Sequence, residues 1–330
     1  MNNSPLELIH ASHQVLILIH LSPDADALGS GLALARALRR MGKRARVVCL
    51  DPLPAHLKFL ASAEDLSARH VQGEDLAIAL DSSDVHRFGP SGAEVAAAGI
   101  AVLNIDHHST NQYFGTHNLV RPEAAATAEI VYDLLVDLGV EIDAGIATGL
   151  LAGLVSDTRG FRTVTTTPHT LELATGLMRA GADLTVITEQ LLEQRDLSTV
   201  RLWGEIIEGV QLEGRIVWAV ESLEMRRQLG AADAGDGVVN LLATVKEADV
   251  AILFRETNSG PVEVSLRSRR GANVARIAQR FAGGGHPQAA GCSVSGDLQE
   301  VVRRVLAAAQ EELAEQAASE ATSPVALRRS

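Results

Sequence analysis

Cysteine is almost missing. Cys49 and Cys292 are the only two in 330 residues, they lie in opposite halves of the chain, and each sits in or beside an apolar run. That excludes a disulfide framework or a thiolate zinc knuckle and makes a reducing cytoplasm the expected compartment. Aromatic residues are scarce, at 3 %, so no platform is available for stacking the successive bases of a long single strand. No apolar run approaches membrane length: the run 15–19 is far too short for a signal core or a span, and no Lys or Arg precedes it, so neither export nor membrane anchoring is expected. An extended basic face is lacking as well. The net charge of −12 argues against non-specific binding to long duplexes, because phosphate-driven affinity needs many cations on one surface. A local basic pocket is still compatible with it, and so are carboxylates gathered around divalent cations.

What is present is apolar and evenly spread. Apolar residues make up 46 % of the chain, supplied mainly by Ala, Leu and Val, and 330 residues exceed the usual size of one domain, so two packed cores are expected. The run 15–19, too short for a helix and followed by Ser22, Pro23 and Asp24, reads as a buried strand. Leu28, Leu32, Ala35 and Leu38 recur at helical spacing up to Gly42, and 46–50 is the next strand, a βαβ unit whose crossover demands parallel pairing. Runs 76–80 and 100–105 are further strands, each followed at once by an acid. Helices are expected over 127–138 and 144–155, and another from Pro168 with Thr167 as its cap.

The fold class is therefore α/β, a mainly parallel sheet with helices on both faces, joined to a smaller mixed α/β domain. Residues 1–182 form the first domain, 183–209 a helical linker, 210–316 the second domain, and 317–330 a disordered tail without an apolar face. In the second domain 215–220, 250–254 and 262–266 read as strands, and 273–281 and 297 to about 316 as helices.

In a parallel sheet, residues just beyond different strands meet along one edge. Here that edge collects His20, Asp24 and Asp26 after one strand, Asp81 after a second, and Asp106, His107 and His108 after a third, with Asp157 joining from a helix end. A single Asp after a strand is usually a turn residue or a helix cap. Several together with no lysine repel one another unless cations are bound. Carboxylates with a minority of imidazoles and no thiolate favour manganese or magnesium, with cobalt or zinc as alternatives. Two ions about 3.5 to 4 Å apart are the usual device for displacement at phosphorus, which makes a phosphoester the expected substrate.

These residues, His20-Leu-Ser-Pro-Asp24-Ala-Asp26-Ala-Leu-Gly29-Ser30, Asp81, Asp106-His107-His108 and Asp157, resemble the four motifs of the DHH phosphoesterase superfamily. Departures from the pattern are minor, such as Arg159-Gly160 after Asp157-Thr158. The resemblance implies two divalent ions, Mn2+ first and Mg2+ or Co2+ otherwise, one held by His20, Asp24 and Asp81 and the other by Asp26, Asp81, His107 and Asp157. Asp81 would bridge them and be indispensable to catalysis, Asp106 would orient His107, and His108 would contact the substrate phosphate or assist the leaving group.

Gly283-Gly284-Gly285-His286 reads from glycine alone either as a helix stop with a flexible turn or as a backbone that lets a phosphate approach. With Ser265-Leu266-Arg267-Ser268, Asn273 and Ala290-Gly291 it is similar to the small C-terminal domain attached to many DHH enzymes. That resemblance implies a domain facing the metal site across a cleft, with Arg267, Ser268, Asn273, Gly284, Gly285 and His286 binding the nucleotide. In length and domain pairing the chain is similar to the nanoRNase type, bifunctional oligoribonucleases and 3'-phosphoadenosine 5'-phosphate (PAP) phosphatases. The implied substrates are short single-stranded RNA or DNA oligonucleotides and small nucleotides, and a homodimer is implied too. The alternative is a phosphodiesterase for cyclic di-AMP or its linear dinucleotide. A family II pyrophosphatase is disfavoured by the glycine-rich loop, and a RecJ-like exonuclease by the chain's length. A catalytically silent binding protein on the same fold would lack bound or activating metal.

Overall fold

The structure is a computed structural model that describes residues 4–61, 65–67, 71–231, 237–258, 260–269 and 272–322. The chain divides into two compact units, Met1–Gln194 and Arg195–Ser330.

The first unit is built on six strands, β1 (Gln14–Leu18), β2 (Arg44–Val48), β3 (Leu66–Ser67), β4 (Leu76–Leu80), β5 (Ala101–Asp106) and β6 (His117–Val120), in the order β3-β2-β1-β4-β5-β6. Every pairing is parallel. Its helices are α1 (Pro5–Ala11), α2 (Ala25–Arg40), α3 (Pro90–Ala98), α4 (Thr127–Asp137), α5 (Ala144–Asp157), α6 (Pro168–Arg179) and α7 (Leu184–Thr188). Both faces of the sheet are covered, which is why the central strands β1 and β4 are apolar without alternation. Val15, Ile17, Ile78 and Leu80 pack into one core with α2, α4 and α5. Leu16, Leu18, Ala77 and Ala79 join Phe88 and Val95 of the α3 side in another. The sheet changes direction of growth between β1 and β4, the place where an open parallel sheet forms a crevice beyond its strand ends.

Helix starts follow local chemistry. Asp24 caps α2, accepting from the amides of Asp26 and Ala27. Thr167 and Thr170 form a reciprocal capping box at α6, with Pro168 in its first turn, as the sequence predicts.

Helices α2 and α5 cross backbone to backbone. A Cβ on Gly29 would stand 2.1 Å from the Gly149 carbonyl oxygen, and one on Gly149 2.7 Å from that of Gly29. Neither side can yield, because both obstacles are main chain. We expect Gly149→Ala to destabilise the protein by about 1–3 kcal/mol through overpacking, more than the ~1 kcal/mol of helix propensity it gains. A urea midpoint equal to or above that of the parent would contradict this.

The second unit contains α8 (Leu197–Glu208), β7 (Gln211–Glu213), β8 (Ile216–Glu221), α9 (Leu223–Leu229), α10 (Gly237–Leu242), β9 (Val250–Arg255), β10 (Val262–Ser268), α11 (Val274–Gln279), β11 (Gly284–His286), β12 (Ala289–Val294) and α12 (Leu298–Thr322). The sheet order is β11-β12-β10-β9-β8-β7. Only β8 and β9 run parallel and the other pairings are antiparallel, so this sheet is mixed. One face carries α11 and α12 and the other α8 and α10.

Residues 183–209 hold α7, a single π turn at Glu189–Glu193 and α8, and the division between the units falls inside them. The tail expected to be structureless from 317 instead continues α12 as far as Thr322, because Gln316-Ala-Ala-Ser-Glu-Ala are mostly strong helix formers that extend a started helix without an apolar face. The rest of that tail, 323–330, lies outside the described residues. Among the described residues no helix is long and apolar enough to cross a membrane.

Candidate metal centre

The ends of β1, β4 and β5 bring the sequence's acids and imidazoles to one edge. His20, buried two residues beyond β1, turns Nδ1 to the Leu21 carbonyl at 2.8 Å. Its Nε2 faces Asp24 Oδ2 at 3.6 Å and Asp81 Oδ2 at 3.8 Å. Asp24 satisfies the ordinary and the functional reading at once, since Oδ1 caps α2 and Oδ2 faces the imidazole.

Asp26 is fully buried in the first turn of α2. Its Oδ2 accepts from the Thr127 amide at 2.6 Å, and its Oδ1 from the Ala128 amide at 2.9 Å and from Ser30 Oγ at 3.2 Å. The N-cap of α4 is Ala126, which has no side-chain oxygen, so a carboxylate 101 residues away in sequence supplies its cap. A Cβ on Gly153 would come within 2.4 Å of Asp26 Oδ1, so that glycine makes room for the carboxylate.

Asp81 directly follows β4 with a left-handed backbone, φ +57°, a conformation that Asp tolerates better than most residues but that still stores strain. Its two oxygens face different imidazoles. Oδ1 lies 3.5 Å from His107 Nε2 and accepts from Thr127 Oγ1 at 3.0 Å, while Oδ2 looks to His20. His107 sets Nδ1 3.3 Å from the Ala124 carbonyl and Nε2 3.1 Å from Asp157 Oδ2 and 4.0 Å from Asp26 Oδ2.

Asp106 pairs with His108, not with His107: its Oδ1 is 2.7 Å from His108 Nδ1. The reason is the strand period. Asp106 ends β5, and in an extended chain residues i and i+2 share a side while i+1 points away.

The donor set fits divalent cations. In both His20 and His107 Nδ1 faces a main-chain carbonyl and Nε2 faces carboxylates, which leaves Nε2 as the atom placed to meet a cation. Most of the resulting separations are too long for hydrogen bonds, but they suit oxygen and nitrogen ligands sharing one ion. Two such groups, His20 with Asp24 and Asp81, and Asp26 with Asp81 and His107, have Asp81 in common.

Electrostatics tells the same story without the ion. Burial alone would lower the pKa of His20, yet Asp24 and Asp81 outweigh it and raise it from 6.5 to about 10. Burial likewise opposes protonation of His107, but Asp157, Asp81 and Asp26 push its pKa well above normal. Burial and then repulsion from Asp81 and Asp157 hold the Asp26 carboxyl far above the usual carboxylate range. Asp81 goes the other way: burial raises it, but the three surrounding imidazoles draw it well down. The site is an excess of buried negative charge that takes up protons where cations would serve.

In the second unit, Arg267 and His286 both oppose Ala289, from either side of β12, so the two side chains leave the sheet on one face. Arg267 is steadied by Asn240 Oδ1, 3.0 Å from its Nε. Gly284 and Gly285 belong to β11 rather than to a flexible turn, and Gly285, at φ +134°, packs so closely that a Cβ would meet the Ala289 carbonyl at 2.5 Å. Asn273 precedes α11 without a side-chain capping bond. Ser268 turns its buried hydroxyl to the carbonyls of Ala272 and Pro287 at 2.6 and 3.1 Å.

Sequence reasoning missed Thr127, Asn111 and Arg87, the last with Nη2 3.1 Å from His20 Nδ1. None sits at a strand end, so only the fold brings them in. Thr127 holds Asp81 by its hydroxyl and Asp26 by its amide. We expect Thr127→Val to weaken divalent-metal binding by about 10–100-fold, as loss of a group supporting a ligand does, with Thr127→Ser restoring it. Unchanged metal titrations for the Val variant would refute that role.

Fold and site together define an α/β protein whose sheet edge carries a carboxylate–imidazole centre suited to divalent cations. Residues 14–154 match the DHH family, N-terminal domain, and residues 228–315 the DHHA1 domain. A bifunctional oligoribonuclease and PAP phosphatase NrnA of Thermus thermophilus is 39 % identical over 91 % of this chain and 90 % of its own. A protein of the same description from Bacillus subtilis is 26 % identical over 89 % of this chain and 93 % of its own. Among solved structures, an exopolyphosphatase-related protein from Bacteroides fragilis superposes with a TM-score of 0.83 at 24 % identity, covering 92 % of this chain and 94 % of that one, a likeness of fold. The chain belongs to the DHH family and carries a DHHA1 domain behind its DHH domain.

Proposed function

We propose that the protein is a metal-dependent phosphoesterase that degrades short oligonucleotides to mononucleotides and removes the 3'-phosphate of PAP. The observation that carries this reading is Asp81, whose two oxygens face two separate imidazole-bearing groups at 3.8 and 3.5 Å, the arrangement a bridging ligand needs. Relatives named for both activities match end to end. A cyclic-di-AMP phosphodiesterase from Geobacillus thermodenitrificans is 28 % identical, but this chain spans only 48 % of it, so that substrate is the lesser reading.

Two divalent ions, manganese by preference, would be held by His20, Asp24 and Asp81 and by Asp26, Asp81, His107 and Asp157. When bound, they would supply an activated water near neutral pH and neutralise charge gathering on the phosphoryl oxygens. The chain's own residues do the rest. Asp26 and Thr127 keep the ligands rigid, His108 meets the phosphate or the leaving oxygen, and Arg267, Asn273, Gly284, Gly285 and His286 bind the nucleotide.

The test is manganese-dependent release of mononucleotides from RNA of two to five residues, with PAP and cyclic di-AMP in parallel. Turnover of the short RNAs and of PAP is expected. Metal-loaded protein inert on both would overturn the reading, and turnover of cyclic di-AMP alone would replace it with the lesser one.

A further inference from the structure

Asn111, five residues beyond Asp106, is buried and uses every hydrogen-bonding position of its side-chain amide. Nδ2 donates to Asp106 Oδ2 at 2.6 Å and to the Ser82 carbonyl at 3.2 Å. Oδ1 accepts from the Tyr113 amide at 2.6 Å and from Asn104 Nδ2 at 3.2 Å. A carbonyl only accepts and a main-chain amide only donates, so the partners fix which end of the amide is which. The two ends serve different purposes: Oδ1 ties its own loop to Asn104 on β5, and Nδ2 grips Asp106.

Asp106 has no exposed surface, and its other oxygen holds His108 Nδ1 at 2.7 Å. With Nδ1 committed to a carboxylate, Nε2 is the working atom of His108, whose side chain is 26 % exposed. We infer that Asn111 is a positioning residue: it pins Asp106 by one oxygen so that the other holds His108 in one orientation, with Nε2 presented to the leaving oxygen of the phosphoester. The inference rests on the phosphoesterase reading above. In the step, the oxygen of water forms the new P–O bond and releases its proton to solvent. The bond to the leaving oxygen breaks, that oxygen keeps the electron pair, and it takes a proton from His108 Nε2. The ring keeps Nδ1 on Asp106 throughout. An amide gripping Asp106 keeps this relay from swinging when charge moves.

Asn111→Asp separates the two ends of the amide, since it retains an acceptor for Tyr113 and Asn104 and removes the donor to Asp106 and to the Ser82 carbonyl. Parent and variant are assayed on an RNA dinucleotide, whose ribose oxygen needs a proton to leave, and on a p-nitrophenyl ester of a nucleotide 5'-phosphate, whose nitrophenolate does not. The expected result is a fall in kcat of about 10–100-fold on the dinucleotide, with KM unchanged, and of less than about threefold on the nitrophenyl ester. Metal binding should match the parent. Should Asn111→Asp fail to fold, Asn111→Leu, of similar volume, should show the same split between substrates. Equal losses on both substrates, loss of bound metal, or no loss at all would overturn the inference while leaving the phosphoesterase reading intact. A metal-loaded parent inert on both substrates would overturn both.

Discussion

Asp81→Ala should reduce turnover of an RNA dinucleotide by at least about 10³-fold, since several kcal/mol of metal-derived stabilisation is at stake and each 1.4 kcal/mol is a factor of ten. The expectation comes from the position of the carboxylate rather than from its burial. Its oxygens separately face His20 and His107, so one substitution removes a carboxylate from the His20 group and from the His107 group alike. Alanine is also strained at the left-handed backbone angle of this residue, φ +57°. Asp81→Asn is the control, because asparagine accepts that backbone and keeps the shape while losing the charge. Both variants should bind less manganese in calorimetric titrations. Full metal binding with kcat within about tenfold of the parent would show that Asp81 is only a turn residue after β4.

The contrast is His286→Ala. If this imidazole binds nucleotide, its loss costs a hydrogen bond to a charged group, about 1.5–3 kcal/mol, read as a higher KM for PAP with metal binding unchanged. Metal lost equally from the Asp81 and His286 variants would mean that the division of labour between the two domains is wrong.

The centre was legible in the sequence where a strict physical rule connects residues to geometry. Strands β1 and β4 are buried on both faces and appear as continuous apolar runs, β5 is apolar but for Asn104 and its terminal Asp106, and parallel pairing sends the residues at their ends to one edge. Strand β3 has two residues and β6 four, partly exposed, too short and too mixed to be seen. Strand β11 is Gly284-Gly285-His286, and glycine signals a turn more strongly than a strand, so its pairing with β12 could be known only from the fold. The pairing of Asp106 with His108 was within reach, because alternation along β5 already requires it. Thr127 and Asn111 were not. Their importance comes from hydrogen bonds to Asp81, Asp26 and Asp106, and three-dimensional packing alone decides which of many Thr and Asn residues stand beside a buried carboxylate.

The buried charge of the centre also dictates how metal and pH act on stability. His20, raised from 6.5 to about 10, contributes stability to the metal-free protein that is fully present below pH 6.5 and lost as the pH climbs through about 10. His107 shifts in the same direction. Asp26 is raised above 3.8, so its folded form resists ionising and the metal-free fold weakens as the pH rises past that value. The shifts of His20 and His107 agree that the metal-free protein is less stable at pH 8 than at pH 6. Cations reverse this, because they need the deprotonated imidazoles and carboxylates and displace the protons that hold their place. Each displaced proton makes metal affinity rise about tenfold per pH unit, so one or two of them give about 10²- to 10⁴-fold between pH 6 and pH 8. The increase in Tm on adding a fixed excess of manganese should therefore be markedly larger at pH 8 than at pH 6, and His20→Gln should flatten the difference. An increase in Tm that is the same at both pH values would mean that the imidazoles do not yield protons to metal, and the ligand assignment of His20 and His107 would fall.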